Sequence, residues 1–282
     1  MCWCADSRRD GGPSRHGRVC HHRSVDRLRR PPPDFRRAEV VAVDRRTPRL
    51  VRLTLAGDDL VGFDAPEPAA SLRLLLPREG PGTPLELPSW NGNEFRFADD
   101  ARPPIRTLTP LSPDPEHGRV EVEVVLHGDG ALSRWAEAEP LGDEVAVSGP
   151  GRGFVPDPEV ARLLLVGDES AVPAVGQLLE WLPPAVHVDV VLEVVDDDAE
   201  PSLPGRDGTE VVRCVAAPDD PPGAAMLAAM QEQPLIDDVV VWAAGEAAAV
   251  QKLRKLLGER GVPRSRTVVR GYWKHGRAGA GS

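Results

Sequence analysis

The chain has almost no lysine, three residues against 31 arginines, an imbalance that fits a GC-rich coding bias and says little about function. It has a single tyrosine, Tyr272. No apolar run approaches the ~18 residues needed to cross a bilayer, so membrane insertion is not expected. Its four cysteines are too few for a disulfide scaffold in 282 residues. Cys214 sits in an apolar run and reads as a buried thiol. With no signal peptide recognisable, this cysteine usage predicts a reducing, cytoplasmic setting. A basic body is also lacking. The first 37 residues carry ten arginines against four acids, while the remainder carries 24 basic and 40 acidic residues. An acidic body has no basic face for phosphate contacts, which excludes nucleic-acid binding. Neither a Ser/His/Asp nor a Cys/His arrangement stands out, and no GxGxxG is present.

What is there falls into three stretches. Residues 1–30 have no apolar period and read as a disordered basic head or an over-extended start. Cys2, Cys4, Cys20, His21 and His22 lie there without structural-zinc spacing, so no metal is expected. Residues 31–156 alternate apolar and polar positions: Val51, Leu53 and Leu55; Leu72, Leu74 and Leu76; Val120, Val122, Val124 and Leu126; and Glu144 to Val147. Period two between turn residues predicts an antiparallel β-barrel, interrupted by one helix over 131–139 that Pro140 and Gly142 end. Residues 157–282 change rhythm. Continuous apolar strands (162–166, 186–194, 210–215, 238–243 and 267–269) alternate with helices (170–182, 223–233 and 246–259). This predicts a doubly wound parallel sheet covered on both faces, with 196–208 as a surface loop.

Five places carry candidate chemistry. Arg106 and Thr109 end one predicted strand, with a guanidinium for phosphate and a hydroxyl for a polar ligand edge; Leu108 lies between them. In His127, Gly128, Gly130, Ala131, Leu132 and Ser133, glycines precede a helix start whose amides suit an anion. Asp168, Glu169, Ser170 and Ala171 follow a strand end, where α/β folds bind ligands. Two carboxylates there repel a pyrophosphate, which makes this a poor dinucleotide cradle. Trp242 to Glu246 opens a further helix. Tyr272 and Trp273, followed by Lys274, offer flat rings and a cation. Each has a plainer alternative: a snorkelling strand arginine, a hairpin turn, helix capping, a solvated helix face, and a C-terminal anchor.

Taken in order, SWNGNEFRF (89–97), Arg106-x-x-Thr109, VLHGDGALSRWA (125–136), SGPGRGF (148–154), LLVGDESAVPAVGQLLE (164–180), WAAGE (242–246) and GYWKHG (271–276) resemble the siderophore-interacting protein family. These are flavin-dependent ferric-siderophore reductases related to the ferredoxin-reductase superfamily. The likeness runs from about Phe35 to Gly276. It implies FAD held by Arg106, Leu108, Thr109, His127, Gly128 and Gly130 to Ser133, with Asp168 to Ala171 and Tyr272–Trp273 beside it. The family pattern at Arg106 is Arg-x-Tyr-Thr-x-Arg; here Leu108 replaces the aromatic and Leu111 the second arginine. A missing charge-assisted phosphate bond, about 1.5–3 kcal/mol, predicts roughly ten- to hundredfold weaker FAD binding.

The resemblance implies that reduced flavin passes electrons to Fe(III) in a siderophore, releasing Fe(II). NAD(P)H or a ferredoxin-type protein is the expected donor. An anionic chelate would be received by Lys274, with Arg152 and Arg206 behind it. A flavin reductase with another acceptor, and a degenerate non-catalytic siderophore- or flavin-binding homologue, are the alternatives.

Overall fold

The computed structural model describes residues 34–91, 95–97, 103–127, 130–196 and 203–276. The expectations for residues 1–30 and for Gly128 lie outside the described residues.

The first half comprises β1 (Arg36–Thr47), β2 (Leu50–Ala56), β3 (Ser71–Leu75), the two-residue strands β4 (Ser89–Trp90) and β5 (Phe95–Arg96), β6 (Ile105–Leu108), β7 (Leu111–Asp114), β8 (Arg119–Val125), helix α1 (Ala131–Glu137) and β9 (Glu144–Gly151). Seven of these strands form an antiparallel sheet in the order β6-β3-β9-β1-β2-β8-β7. β6 also touches β8, so the sheet curls towards closure. The period-two pattern explains the packing. Val51, Leu53 and Leu55 of β2 and Val120, Val122 and Val124 of β8 point into one core with Leu72, Leu74 and Val147. On the outside Arg52 lies opposite Glu123 and donates to its Oε1 from Nε (3.1 Å) and Nη2 (2.8 Å). Such a partly buried cross-strand pair adds well under the core's contribution.

The second half comprises β10 (Arg162–Asp168), a 3₁₀ turn at Glu169–Ala171, α2 (Val172–Trp181), β11 (His187–Val194), β12 (Glu210–Val215), α3 (Ala224–Glu232), β13 (Val240–Glu246), α4 (Ala247–Glu259) and β14 (Thr267–Trp273). Its five strands are all parallel, in the order β12-β11-β10-β13-β14. Strands buried on both faces need apolar residues at every position. Leu163 and Leu165 accordingly pack towards α2, while Leu164 and Val166 pack towards α3 and α4. Cys214 is buried on the α3/α4 side, and burial pushes its thiol pKa up.

The fold matches the expected barrel followed by a parallel α/β half, with local differences. β1 has no counterpart in the sequence reading, because only Ala38 and Val40 of its twelve residues are buried. The helix expected over 131–139 ends at Glu137. The helix expected from Ser170 opens as the 3₁₀ turn. The last strand runs on past Val269 to Trp273. Its Gly271 permits this, since a Cβ there would meet Ala247 at 3.0–3.2 Å.

Candidate functional site

The carboxyl ends of β10, β13 and β14 face the end of the barrel where β8 leaves for α1. Asp168, the last residue of β10, is the centre of this junction. Its Oδ2 accepts from Trp273 Nε1 at 2.8 Å and from the Glu246 backbone N–H at 2.8 Å. Its Oδ1 accepts from the Ser170 N–H at 3.0 Å and from the Ser170 hydroxyl. Gly245 makes room for this: with φ +152°, a Cβ would stand 2.5 Å from Asp168 Oδ2. Burial pushes the Asp168 carboxyl pKa up, and the four donors oppose that shift.

Trp273 joins the two halves. Its ring stacks on His127, centroids 4.9 Å apart and planes at 30°. Desolvation of the imidazole pushes the His127 pKa down, and the nearby Asp168 opposes it. The backbone at His127 is fixed by Ser133, whose hydroxyl accepts from His127 N–H (3.2 Å) and donates to His127 C=O (3.3 Å). Ser133 is 2% exposed, so its hydroxyl closes the turn. Ala131 opens α1, and Leu132 packs on the barrel core. Gly130 is the N-cap of α1, and no side chain caps that helix start.

The adjacent aromatics diverge. Trp273 faces the barrel, whereas Tyr272 sits edge-on to Trp242 at 6.4 Å with Thr109 and Arg270 beside its phenol. Burial pushes the Tyr272 phenol up. Thr109, 6% exposed, is thereby part of the seam between the halves. Leu108 packs on the barrel core. Arg106 is half-buried, donates from Nη1 to its neighbour's carbonyl Ile105 O (2.9 Å), and has its pKa lowered by desolvation.

Glu169 pairs with Arg49 (Oε2 to Nη2, 2.9 Å) and accepts from the Val195 N–H at 3.4 Å. Ala171 is fully buried, and a Cβ on Gly167 would approach it within 2.5 Å. Lys274 and Arg152 are exposed at the junction's rim. Arg206 is not brought there. Its guanidinium donates to the carbonyls of Leu179, Leu182, Pro183 and Val186, capping the far end of α2 at the opposite edge of the sheet. It lines a separate cleft of about 440 Å³ with Thr209 and Arg213.

Three residues that the sequence reading passed over hold the halves together. Gln177 of α2 accepts from Ala69 N–H (3.0 Å) and donates to Pro110 C=O (2.6 Å). Arg270 donates to the carbonyls of Ala69 (2.8 Å), Arg152 (3.1 Å) and Gly153 (2.6 Å). Arg49 makes the ion pair to Glu169. For two of them the available signal was a polar residue interrupting an apolar run: Gln177 in VPAVGQLL and Arg270 in VVRGYW.

A flavin fits this donor set. Arg106 offers a partly desolvated cation, Leu108 an aliphatic surface, and the Trp273–His127 pair a flat one.

Residues 39–154 match the model of the siderophore-interacting FAD-binding domain, and residues 160–276 that of the siderophore-interacting protein. A siderophore utilization protein from T. fusca superposes with TM-score 0.76 at 33% identity, covering 87% of this chain and 95% of that one. The ferric vibriobactin reductase ViuB of Vibrio cholerae is 27% identical over 238 residues, 81% of this chain and 85% of its own length. The NADPH-dependent ferric-chelate reductase of Escherichia coli is 28% identical over 242 residues, 85% and 92% respectively. With a FAD-binding first half and a parallel-sheet second half matched in order, this chain belongs to the siderophore-interacting protein family.

Proposed function

We propose that this protein is a FAD-dependent reductase that converts a ferric siderophore to its ferrous form and so releases iron. The observation that carries the reading is the junction itself. Half-buried Arg106 and aliphatic Leu108 lie on β6 of the barrel, and a stacked indole–imidazole pair lies where the strand ends meet the barrel; we take the flavin to span the two. Bound FAD supplies acceptance of two electrons from a donor and their release one at a time. The protein's part is placement. Asp168 fixes the Trp273 indole, Ser133 fixes the His127 turn, and Arg106 and Leu108 line the barrel side. Siderophores bind iron through hard oxygen donors, which hold Fe(III) far better than Fe(II), so reduction alone loosens the chelate. No acid or base is needed. Lys274 and Arg152, exposed at the rim, suit an anionic chelate. Arg206, engaged elsewhere, drops out of that role.

In this reading residues 31–156 form the FAD-binding domain and 157–282 the electron-donor side. The donor need not seat a pyrophosphate. Asp168 occupies the Ser170 amide at the turn before α2, Glu246 the Ala249 amide of α4, and Glu193 the Gly223 and Met226 amides of α3. The first of these, at the turn between the first parallel strand and its helix, is where a dinucleotide phosphate sits in such folds. This favours a ferredoxin-type protein donor over NAD(P)H. The described residues contain no helix long and apolar enough to cross a membrane, and we place the protein in the reducing cytoplasm, where such donors are found.

The test is an absorption spectrum of purified protein with and without FAD, followed by anaerobic mixing of the reduced holoprotein with ferric siderophores. Flavin reoxidation with appearance of Fe(II) is expected. A protein that takes up no FAD, or a reduced form inert to every ferric chelate, overturns the proposal. Parallel reduction by NADPH, NADH and reduced ferredoxin ranks the donors.

A further inference from the structure

We infer that Arg49 is the second cation for the flavin's pyrophosphate, supplied from the entry to β2 in place of the arginine that position 111 lacks. This rests on the flavoprotein reading above.

The placement follows from strand parity. Val51, Leu53 and Leu55 point into the barrel, side chains two apart share a face, and Arg49, in the turn that enters β2, extends that ladder opposite Leu126, a residue of the same core, so it lies on the inward side at the barrel's end. The Leu126 N–H donates to Arg49 C=O at 2.7 Å, which sets Arg49 level with Leu126 and one residue before His127. Arg106 has the same parity, since it pairs with Leu74 while Leu108 pairs with Leu72, both buried core residues. β7 runs antiparallel to β8 with Leu111 opposite Glu121. Stepping back from Leu111 to Arg106 therefore moves towards the Leu126 end, and β6 lies against β8. The two arginines flank the same end of β8, where the chain turns through His127 towards α1. Leu111 sits lower, in the body of the strand.

The state of the guanidinium supports the assignment. Nη2 is bound to Glu169, but Nε is buried and has no hydrogen-bond partner. A buried, unsatisfied donor on a charged group is costly. Nε shares with Nη2 the edge of the fork that faces Glu169, so the edge left for an anion is the one through Nη1, which makes no hydrogen bond among the described residues. Arg49 also acts electrostatically on His127, which places its charge beside that turn.

The plain competitor is a latch: Arg49 does nothing but tie the barrel to the α/β half through Glu169. Affinities of apoprotein for FAD and for riboflavin, read from quenching of flavin fluorescence, separate the two. Arg49→Ala is expected to weaken FAD roughly ten- to hundredfold, the loss of one charge-assisted bond, with riboflavin, which lacks phosphate, unaffected. Arg49→Lys keeps the charge without the fork and should fall between. Glu169→Gln breaks the latch but leaves Arg49, and should bind FAD at least as tightly as the parent. Melting temperatures without flavin establish that each variant is folded, and Arg49→Lys carries the test if Arg49→Ala is not. Equal losses in Arg49→Ala and Glu169→Gln, equal losses for FAD and riboflavin, or no loss at all overturn the inference. A parent protein that binds no FAD overturns the flavoprotein reading as well.

Discussion

Trp273 donates its indole N–H to the carboxylate of Asp168 across 2.8 Å, joining residues 105 positions apart at the ends of two parallel strands. The same carboxylate also holds the Glu246 and Ser170 amides. Asp168→Ala removes the acceptor for all of these donors. Hydrogen bonds to a charged partner contribute about 1.5–3 kcal/mol, and stranded donors cost further, so a loss of about 2–4 kcal/mol is expected in urea unfolding. Tryptophan fluorescence should change with it, because the Trp273 ring loses its anchor. Unfolding and emission both like the parent's would show that the carboxylate does not organise this junction.

Gly245 is predicted to be irreplaceable for the same reason. Its φ of +152° disfavours any L side chain, and a Cβ would stand 2.5 Å from Asp168 Oδ2. Gly245→Ala should destabilise by about 1–3 kcal/mol and weaken FAD retention in parallel. A neutral Gly245→Ala would mean the strand end relaxes freely.

The barrel and the parallel sheet were legible in the chain because their cores are periodic. Val51, Leu53 and Leu55 alternate, and Leu163 to Val166 do not need to, since both faces are covered. The seam was not legible. Gln177 reaches Pro110 across 67 residues, and Arg270 reaches Ala69 across 201. Their partners are mostly backbone carbonyls, which no spacing in the sequence reveals. The site was legible by location but only partly by role. Asp168, legible as a carboxylate beside the ligand or as a helix cap, caps the turn before α2 and also receives the Trp273 indole, a partner no spacing in the sequence indicates. Ser133 spends its hydroxyl on the His127 backbone, and Thr109 is buried in the seam. Tyr272 and Trp273, read as one aromatic cover, belong to different faces.

His127 should titrate below its ordinary 6.5, because desolvation outweighs the attraction of Asp168 and Glu169, with Arg49 acting in the same direction as desolvation. The sign follows from linkage. The folded imidazole binds its proton less tightly than the unfolded one. Its contribution to stability is therefore present above 6.5 and lost as pH falls through the folded value. Asp168 runs oppositely: its raised pKa favours the fold most at low pH, and that contribution declines as pH rises from 3.8 through the folded value. NMR titration of the His127 ring protons checks the first claim, and a midpoint at or above 6.5 refutes it.

Leu108 packs on the barrel core, at the position where the family resemblance implies an aromatic residue. A leucine covers a flavin ring but does not stack on it. Leu108→Tyr should add about 0.5–1.5 kcal/mol of ring–ring interaction, tightening FAD roughly two- to tenfold. Titration of apoprotein with FAD measures this. Unchanged affinity would place the flavin ring elsewhere than against position 108.

Gln177 has one partner that donates, the Ala69 N–H, and one that accepts, the Pro110 carbonyl. Only an amide satisfies both, and the partners dictate which way it points. Both partner residues are buried, so water is a poor replacement. Gln177→Ala should cost about 1–3 kcal/mol through two stranded groups. Gln177→Glu is the sharper test, since it nearly preserves size and shape. Its carboxylate still accepts from Ala69, yet it sets a negative oxygen against the Pro110 carbonyl. At neutral pH it should be less stable than the parent, and recover as acidification protonates the carboxyl and restores a donor. Because Pro110 lies just beyond β6, which carries Arg106 and Leu108, the same variant should lose FAD affinity at neutral pH. A Gln177→Glu protein whose unfolding is independent of pH relative to the parent would show that this seam is not set by the amide.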